Sequence, residues 1–182
     1  MIRRSQVEEG KKQALLLLQK AQILIDENEL NTIDVADFGL QNYPQEGAQM
    51  ITLLNTERVA LKLICLLPGQ TLPEHWHTAV GDDAGKEETF RVLYGTLRLY
   101  LPGNDTIQEG PMPKGKSVYY TCRKEQILRP PQQLTLSPGI KHWLQGGKEG
   151  CVVCSISSAA HCALDPFTDP NVQRITKIDE TA

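Results

Sequence analysis

The sequence predicts an all-β protein, a β-sandwich or barrel that carries one α-helix at its N-terminal end. Three observations predict it: short apolar runs recur between residues 30 and 158, glycine and proline separate these runs, and helical periodicity is confined to residues 5–27. A chain of 182 residues can bury one full core. We therefore predict one domain over 1–182, with a helical segment at 1–30 and a polar tail at 159–182.

The predicted helix spans 5–27. Ser5 and Glu8 have the spacing of a capping box, in which each side chain bonds a backbone N–H of the other. Apolar residues recur at helical spacing and define one face, namely Leu15, Leu16, Leu18, Ile23 and Leu24. This pattern favours a helix that packs on the outside of the domain, with a role in oligomerisation as the alternative.

The β-strands are predicted from apolar runs that end at turn-forming residues. They occupy 33–36, 48–54, 59–67, 88–94, 96–101, 117–121, 132–137, 142–145 and 151–158. A turn is expected at 55–58, and the proline- and glycine-rich segment 102–116 is expected to leave the sheet.

Composition excludes several classes of protein. No apolar run reaches the roughly 20 residues that span a bilayer, and charged residues follow Met1 where a secretory signal would be apolar. The net charge is −3 and the basic residues do not cluster, which argues against a nucleic-acid partner. Five cysteines without framework spacing predict reduced thiols and hence a cytoplasmic protein.

The pair Cys151 and Cys154 has the spacing of a redox motif but not its setting. Both lie in an apolar strand, whereas a reactive thiolate is stabilised at a helix N-terminus. Core packing is therefore predicted. His161 shows no partner pattern and is predicted to be exposed.

The stretch 69–95 carries the strongest sign of function. His75 and His77 are one residue apart, and residues i and i+2 of a β-strand point to the same face. Glu88 opens a strand further on, and His142 follows a Pro-Gly turn. Three of the chain's four histidines and one carboxylate can therefore converge on one metal ion.

This arrangement resembles the cupin superfamily, whose first motif runs Gly, five residues, His-x-His, a spacer, Glu, six residues, Gly. The matching residues are Gly69, His75, His77, Glu88 and Gly95, followed by Gly139 and His142 of the second motif. The chain departs from the pattern in its long spacer, 78–87, and in Ser137 and Gly146, which replace a Pro and an Asn. The resemblance implies an antiparallel jelly-roll barrel with a metal in its mouth.

Glu87 and Glu88 compete for the carboxylate position. Only Glu88 leaves six residues before Gly95, so we expect Glu88 to face the metal and Glu87 to face away. Three imidazoles and a carboxylate suit manganese, iron, zinc or cobalt. The alternative is a closed structural metal site, as zinc often forms.

The sequence segments around the motif resemble those of a narrower family, the cupin-type D-lyxose ketol-isomerases, over about residues 30 to 175. These segments are PGQTLPEHWH at 68–77, GKEETFR at 85–91, KHW at 141–143, and FTDP at 167–170 with Arg174 beyond it. The resemblance implies a homodimeric, manganese-dependent aldose–ketose isomerase. It would interconvert D-lyxose with D-xylulose, and D-mannose with D-fructose.

Two lysines are candidates for catalysis beside the metal. Lys86 lies two residues before Glu88 and should share its face of the strand. Lys62 is an isolated charge in an apolar strand, a setting in which a buried lysine has a partner or a function. The alternative for Lys62 is an edge strand with the amine in solvent, but the family resemblance favours a lysine in the pocket.

The tail supplies two further candidates, Asp169 and Arg174, in the segment that resembles the family. They are predicted to bind the distal hydroxyls or to assist proton transfer, with solvated tail residues as the alternative. Glu74 should point away from the metal by alternation. Phe90 and Trp143 could wall the pocket or belong to the core.

The chemistry leaves two mechanisms open, proton transfer between C1 and C2 through an enediol or a direct hydride shift. It also leaves two other classes of protein. One is another metal-dependent cupin enzyme, either a dioxygenase or an isomerase of phosphorylated sugars, although no basic cluster or Gly-rich helix start for a phosphate is visible. The other is a non-catalytic cupin that binds a sugar or a metal.

Overall fold

The computed structural model describes residues 1–79, 81, 84–108, 110–158 and 165–180. In chain order these residues form β1 (Ile2–Arg3), α1 (Arg4–Lys20), α2 (Glu27–Asn31), β2 (Asp34–Ala36), β3 (Ala48–Asn55), β4 (Val59–Leu66), β5 (Thr71–His75), β6 (Glu88–Leu101), a 3₁₀ helix (Ser117–Tyr119), β7 (Lys124–Leu128), β8 (Gln133–Leu136), β9 (His142–Ser158) and β10 (Ile178–Asp179).

Two long antiparallel strands, β6 and β9, form the centre of the fold. The sheet runs in the order β2-β3-β4-β9-β6-β7, while β5 pairs with the first part of β9 and β8 with the first part of β6. Each long strand thus changes partner along its length and serves both walls of an antiparallel barrel. The predicted all-β fold with an N-terminal helix is confirmed.

The long strands bend where separate strands were predicted. Gly95 does not turn the chain, because β6 continues through 88–101 and pairs there with Cys151. Gly95 has a φ of +71°, and a β-carbon on it would overlap the carbonyl oxygen of Gly150. The register shifts just beyond, so this glycine permits a bulge that bends the strand. The predicted strands 142–145 and 151–158 likewise form one strand, β9.

Helix α1 is shorter than predicted and begins differently. It ends at Lys20 because the chain leaves the helical conformation after Ala21, with Gln22 at a φ of 59°. The Ser5–Glu8 capping box was wrong, since the Gln6 side chain accepts the backbone N–H of Arg3 at 3.2 Å. Leu24 lies beyond the helix and is 93% exposed, and Leu16 is 56% exposed, so both were wrongly placed on the apolar face.

The prediction that α1 packs on the outside of the domain is confirmed. Its buried residues join one apolar cluster with the outer face of β3, β4 and β9, the members from α1 being Val7, Ala14, Leu17 and Leu18. A second cluster fills the barrel interior and includes Phe90, Val92 and Val153. Alternate residues of the same strands supply the two clusters.

Three further elements differ from the sequence prediction. The strand predicted at 117–121 is a 3₁₀ turn followed by irregular backbone. Strand β7 was not predicted, because Lys124, Glu125 and Gln126 give it a polar appearance, yet it pairs with β6. The parallel pair β1–β10 was also missed, since two-residue strands carry no periodic signal.

Within the described ranges, the helices are too short or too polar to cross a membrane.

Candidate metal centre and active site

Three buried histidines meet at one end of the barrel. His75 ends β5 and is paired across the sheet with His142, the first residue of β9, while His77 follows two residues after His75. One ring nitrogen from each lies within 4.8 Å of the others. The ring centroids of His75 and His142 are 4.4 Å apart, and that of His77 is 5.1 and 5.4 Å from theirs. The predicted convergence of the histidines is confirmed.

Backbone carbonyls fix the orientation of two of these rings. Nδ1 of His75 lies 2.9 Å from the oxygen of Pro73, and Nδ1 of His142 lies 2.9 Å from the oxygen of Ile140. Because a carbonyl only accepts, each Nδ1 carries the proton and each Nε2 keeps its lone pair. Nε2 of His142 is buried and has no hydrogen-bond partner among the described residues. This is the tautomer that a metal ligand needs.

Burial keeps the same two imidazoles neutral. Desolvation lowers the pKa of His75 well below its ordinary value, and the neighbouring His142 and His77 act in the same direction. Burial lowers the pKa of His142 to about 4. Neutral imidazoles are required for metal ligation, so both rings are ready to bind a cation at neutral pH.

His77 lies between two carboxylates. Its Nε2 is 2.9 Å from Oε2 of Glu88, and its Nδ1 is 2.8 Å from Oδ1 of Asp165. Burial lowers the pKa of His77, but the two carboxylates outweigh burial and raise it. The backbone N–H of Gly139 donates to the His77 carbonyl at 2.8 Å, which connects this histidine to the turn before His142.

Glu88 opens β6 and is buried, whereas Glu87 is exposed, so the predicted register of this strand is confirmed. Oε2 of Glu88 lies 2.9 Å from Nζ of Lys86, and Oε1 accepts a hydrogen bond from Ser155. Burial raises the pKa of Glu88, but Lys86 and His77 outweigh it and lower the pKa well below its ordinary value. Glu88 is thus an ionised carboxylate beside the three imidazoles, and its role as a ligand stays a prediction.

These donors fit a divalent cation. Two neutral imidazoles with Nε2 unprotonated, those of His75 and His142, and the ionised carboxylate of Glu88 are donors of the kind that a transition-metal site needs. This set of donors suits several divalent transition metals.

A narrow cavity adjoins the histidines. Its polar lining, besides His75, His77 and Glu88, consists of Lys62, Lys86, Asp165 and Arg174. Apolar side chains form the rest, namely Phe38, Met50, Ile64, Leu72, Phe90 and Leu144. Three of the four predicted catalytic residues, Lys62, Lys86 and Arg174, therefore line one cavity with His75 and His77. Their catalytic roles stay predictions.

The fourth predicted catalytic residue, Asp169, lies outside this lining. Its Oδ2 accepts from Nζ of Lys116 at 2.9 Å, and its Oδ1 accepts from the backbone and side chain of Asn171. Asp165 faces the cavity instead, four residues earlier. Asp165 was missed because the tail has no periodicity from which to predict direction.

Glu74 points away from the histidines, as alternation predicted, but it is 1% exposed. It accepts three hydrogen bonds of 2.7 Å, from the hydroxyls of Thr121 and Thr168 and from the backbone N–H of Cys122. Glu74 is therefore a buried carboxylate that holds neighbouring segments together.

The two aromatic residues considered for the pocket wall, Phe90 and Trp143, lie in different places. Phe90 lines the cavity, with its ring centroid 5.6 Å from that of His142. Trp143 belongs to the core, where its ring stacks on Tyr100 and its Nε1 donates to the carbonyl of Cys122 at 2.9 Å.

Cys151 and Cys154 lie in β9 as free thiols, and burial raises the pKa of both, so the core prediction is confirmed. Gly146 replaces the motif's Asn because a β-carbon there would lie 2.5 Å from the oxygen of Leu67. The prediction for His161 lies outside the described residues.

A small antiparallel barrel with buried histidines in its mouth defines the cupin class of protein. The family model for D-lyxose isomerase matches residues 11–182, and this chain belongs to that family. A D-lyxose ketol-isomerase of Cohnella laeviribosi is 43% identical over 164 residues, 90% of each chain. A D-lyxose/D-mannose isomerase of Thermosediminibacter oceani is 42% identical over 99% of this chain and 100% of its own length.

Solved structures support the fold. The L-ribose isomerase of Cellulomonas parahominis, solved with L-ribose, has a TM-score of 0.81 at 16% identity and covers 98% of both chains. The L-ribose isomerase of Acinetobacter sp. DL28 also gives a TM-score of 0.81, at 17% identity and the same coverage. At this identity the likeness shows the barrel and not the substrate.

Proposed function

We propose that this protein is a metal-dependent aldose–ketose isomerase that interconverts D-lyxose and D-xylulose. The observation that carries the proposal is the buried histidine triad, two members of which, His75 and His77, line a cavity together with two lysines, an arginine and an aspartate. The family supplies the sugar, since relatives near 40% identity over most of their length are named for D-lyxose.

The metal would be held by His75, His77, Glu88 and His142, and we propose manganese. When bound, a divalent cation supplies a Lewis acid that polarises the sugar carbonyl. The protein contributes the dry setting in which this polarisation is strong, because the four side chains are at most 5% exposed.

Lys86 and Lys62 supply N–H donors to the sugar oxygens, and their amines are candidates to move a proton between C1 and C2. Asp165 has an oxygen, Oδ2, that is buried and has no hydrogen-bond partner among the described residues. Nη2 of Arg174 lies 4.0 Å from that oxygen, and both residues line the cavity. We propose that Asp165 and Arg174 together orient the sugar hydroxyls, as an acceptor and a donor. A direct hydride shift would need this orientation but no carbon base.

The second substrate pair, the oligomeric state and the cellular location are proposed mainly from the family. We propose that D-mannose and D-fructose form a second substrate pair, as the name of the Thermosediminibacter relative suggests. We also propose a cytoplasmic homodimer, from the reduced cysteines and the family resemblance.

The structure gives no support to a phosphorylated sugar as the substrate. Two cations of the cavity face carboxylates, since Lys86 is 2.9 Å from Glu88 and Arg174 is 4.0 Å from Asp165. A phosphate would have to compete with these carboxylates for the same positive charges.

The test is to incubate the purified protein with D-lyxose and Mn²⁺ and to measure D-xylulose by chromatography. We expect product that disappears when EDTA removes the metal and returns when Mn²⁺ is added in excess. D-mannose, D-ribose and a phosphorylated ketose serve as comparison substrates. A metal-loaded protein that converts neither D-lyxose nor D-mannose would refute the proposal and favour a binding protein.

A further inference from the structure

The segment 165–174, which we name the strap, brings three groups to the candidate site. Asp165 lies beside His77, and the ring centroid of Phe167 is 5.4 Å from that of His75. Arg174 lines the cavity, and its guanidinium carbon is 5.8 Å from the Phe167 ring. The position of the strap therefore decides how these groups meet a sugar.

Few backbone hydrogen bonds hold the strap to the barrel. Phe167 forms an isolated antiparallel bridge with His75. In this bridge the N–H of Thr168 donates to the carbonyl of Glu74 at 3.0 Å, and the N–H of Trp76 donates to the carbonyl of Pro166 at 3.3 Å. At the far end the N–H of Gln173 donates to Phe38 at 2.8 Å. An isolated bridge lacks the repeated pairing of a ladder, so side chains must contribute much of the attachment.

Besides the contact of Asp165 with His77, two buried carboxylates attach the strap. Glu74 accepts the Thr168 hydroxyl at 2.7 Å. Asp169, which is 4% exposed, accepts from Nζ of Lys116 at 2.9 Å. Lys116 is the last residue of the segment 102–116, which we name the excursion, and it directly precedes the 3₁₀ helix. The ion pair therefore joins two segments that are far apart in sequence.

Lys116 also faces a second buried carboxylate. Its Nζ lies 3.3 Å from Oε2 of Glu46, whose other oxygen accepts the Tyr120 hydroxyl at 2.8 Å. Glu46 is 1% exposed, and the Lys116 side chain is 24% exposed. One ammonium group therefore compensates two carboxylates that would otherwise repel each other in a poorly solvated place.

We propose that Lys116 is a positioning residue of the isomerase, which holds the strap in place through Asp169 and thereby sets the positions of Asp165, Phe167 and Arg174. The proposal rests on the proposed function for its effect on catalysis. Lys116 lies outside the cavity lining, so its effect must pass through the strap.

Removing the charge should release the strap and leave the barrel folded. In Lys116→Met the two carboxylates lose the cation that they share, and we expect Asp169 to move toward solvent together with the strap. The histidines stay on β5 and β9, so chemistry at saturating sugar should suffer less than sugar binding. We expect kcat/KM for D-lyxose to fall about 10- to 100-fold, mostly through a higher KM, since small misplacements of binding groups have effects of this size.

The structural readout is hydrogen exchange of the whole protein followed by mass spectrometry. The amides of Thr168, Val172 and Gln173 report on the strap, because each donates a backbone hydrogen bond in the structure. We expect peptides over 165–174 to exchange faster in Lys116→Met while peptides of β6 and β9 keep the wild-type rate. Lys116→Arg, which retains the charge, should restore both the exchange and KM.

Two controls separate positioning from a general loss of stability. Lys114→Met removes an exposed lysine from the same excursion and should leave exchange and KM at wild-type values. Thr168→Val removes only the hydroxyl that donates to Glu74, so it tests the second attachment if Lys116→Met does not fold. Thr135→Val, which loses an exposed hydroxyl pair with Thr89, is its matched control.

Wild-type exchange over 165–174 in a folded Lys116→Met would overturn the proposal, as would faster exchange with unchanged KM. If Lys116→Met does not fold, Thr168→Val takes over the test, and wild-type exchange and KM in that variant would overturn the proposal. If wild-type protein does not convert D-lyxose, the proposed function fails, whereas the exchange comparison still decides whether Lys116 fixes the strap.

Discussion

The two faces of the central sheet differ in what the same strands bury. On the inner face, Lys62, Glu88 and Ser155 surround the candidate metal centre. On the outer face, Leu63 and Val152 pack against helix α1. Neighbouring residues such as Lys62 and Leu63 of β4 therefore contribute to a polar site and to an apolar contact in turn.

This difference means that activity and stability should be separable by position. A buried polar group needs specific partners, so the inner face depends on a few directed hydrogen bonds. The outer face depends on filled volume, where the loss of methylene groups is felt in proportion to the cavity that remains. Substitutions one residue apart in the sequence should then have effects of different kinds.

The largest effect is expected at the start of β6. Glu88→Gln removes the charge that faces the imidazoles, and we expect metal affinity and kcat/KM for D-lyxose each to fall by more than about 100-fold. Glu87→Gln, one residue earlier and exposed, should bind metal as the wild type does. Isothermal titration with Mn²⁺ measures the difference. Equal metal affinity in the two variants would show that Glu88 is not a ligand.

The outer face is tested by Leu18→Ala in α1. Leu18 is fully buried against the sheet, so we expect the free energy of unfolding to fall by about 2–5 kcal/mol. Metal affinity and KM should not change, because the cavity is on the other side of the strands. Leu16→Ala, at a side chain that is 56% exposed, should cost less than about 0.5 kcal/mol. Urea denaturation and steady-state kinetics supply the two readouts.

A smaller effect is expected from the hydrogen bond that supports Glu88. Ser155→Ala removes the hydroxyl that donates to Oε1 of Glu88, and we expect metal affinity to fall about 10-fold. Ser158→Ala is the matched control, since its hydroxyl accepts from the exposed backbone N–H of Glu87 at 3.1 Å and not from a side chain of the candidate site. If Ser158→Ala lost as much metal affinity as Ser155→Ala, the effect would not come from the hydrogen bond to Glu88.

The sequence predicted the parts of the site that strand alternation controls. His75, Glu88 and Lys86 fall on the inner face and Glu87 and Glu74 fall elsewhere, because a period of two leaves one choice once a single residue is placed. His142 was found from its turn, Pro138-Gly139, which the structure retains.

The missed features depend on contacts between distant segments. Asp165 was overlooked and Asp169 misplaced because the tail is irregular, and only its attachment to β5 decides which carboxylate faces the cavity. Strand β7 was missed for a similar reason. Its polar residues find partners across the fold, such as Glu125, which accepts from Arg98 at 2.8 Å.

The pairing of His75 with His142 has a consequence for how the protein folds. The two residues are direct partners across β5 and β9, yet most of the barrel lies between them in the chain. Contacts between such distant residues form slowly, because a long loop must close first. The metal centre can therefore assemble only after the barrel has closed, and a cation that binds there would favour the native state over every incompletely folded one.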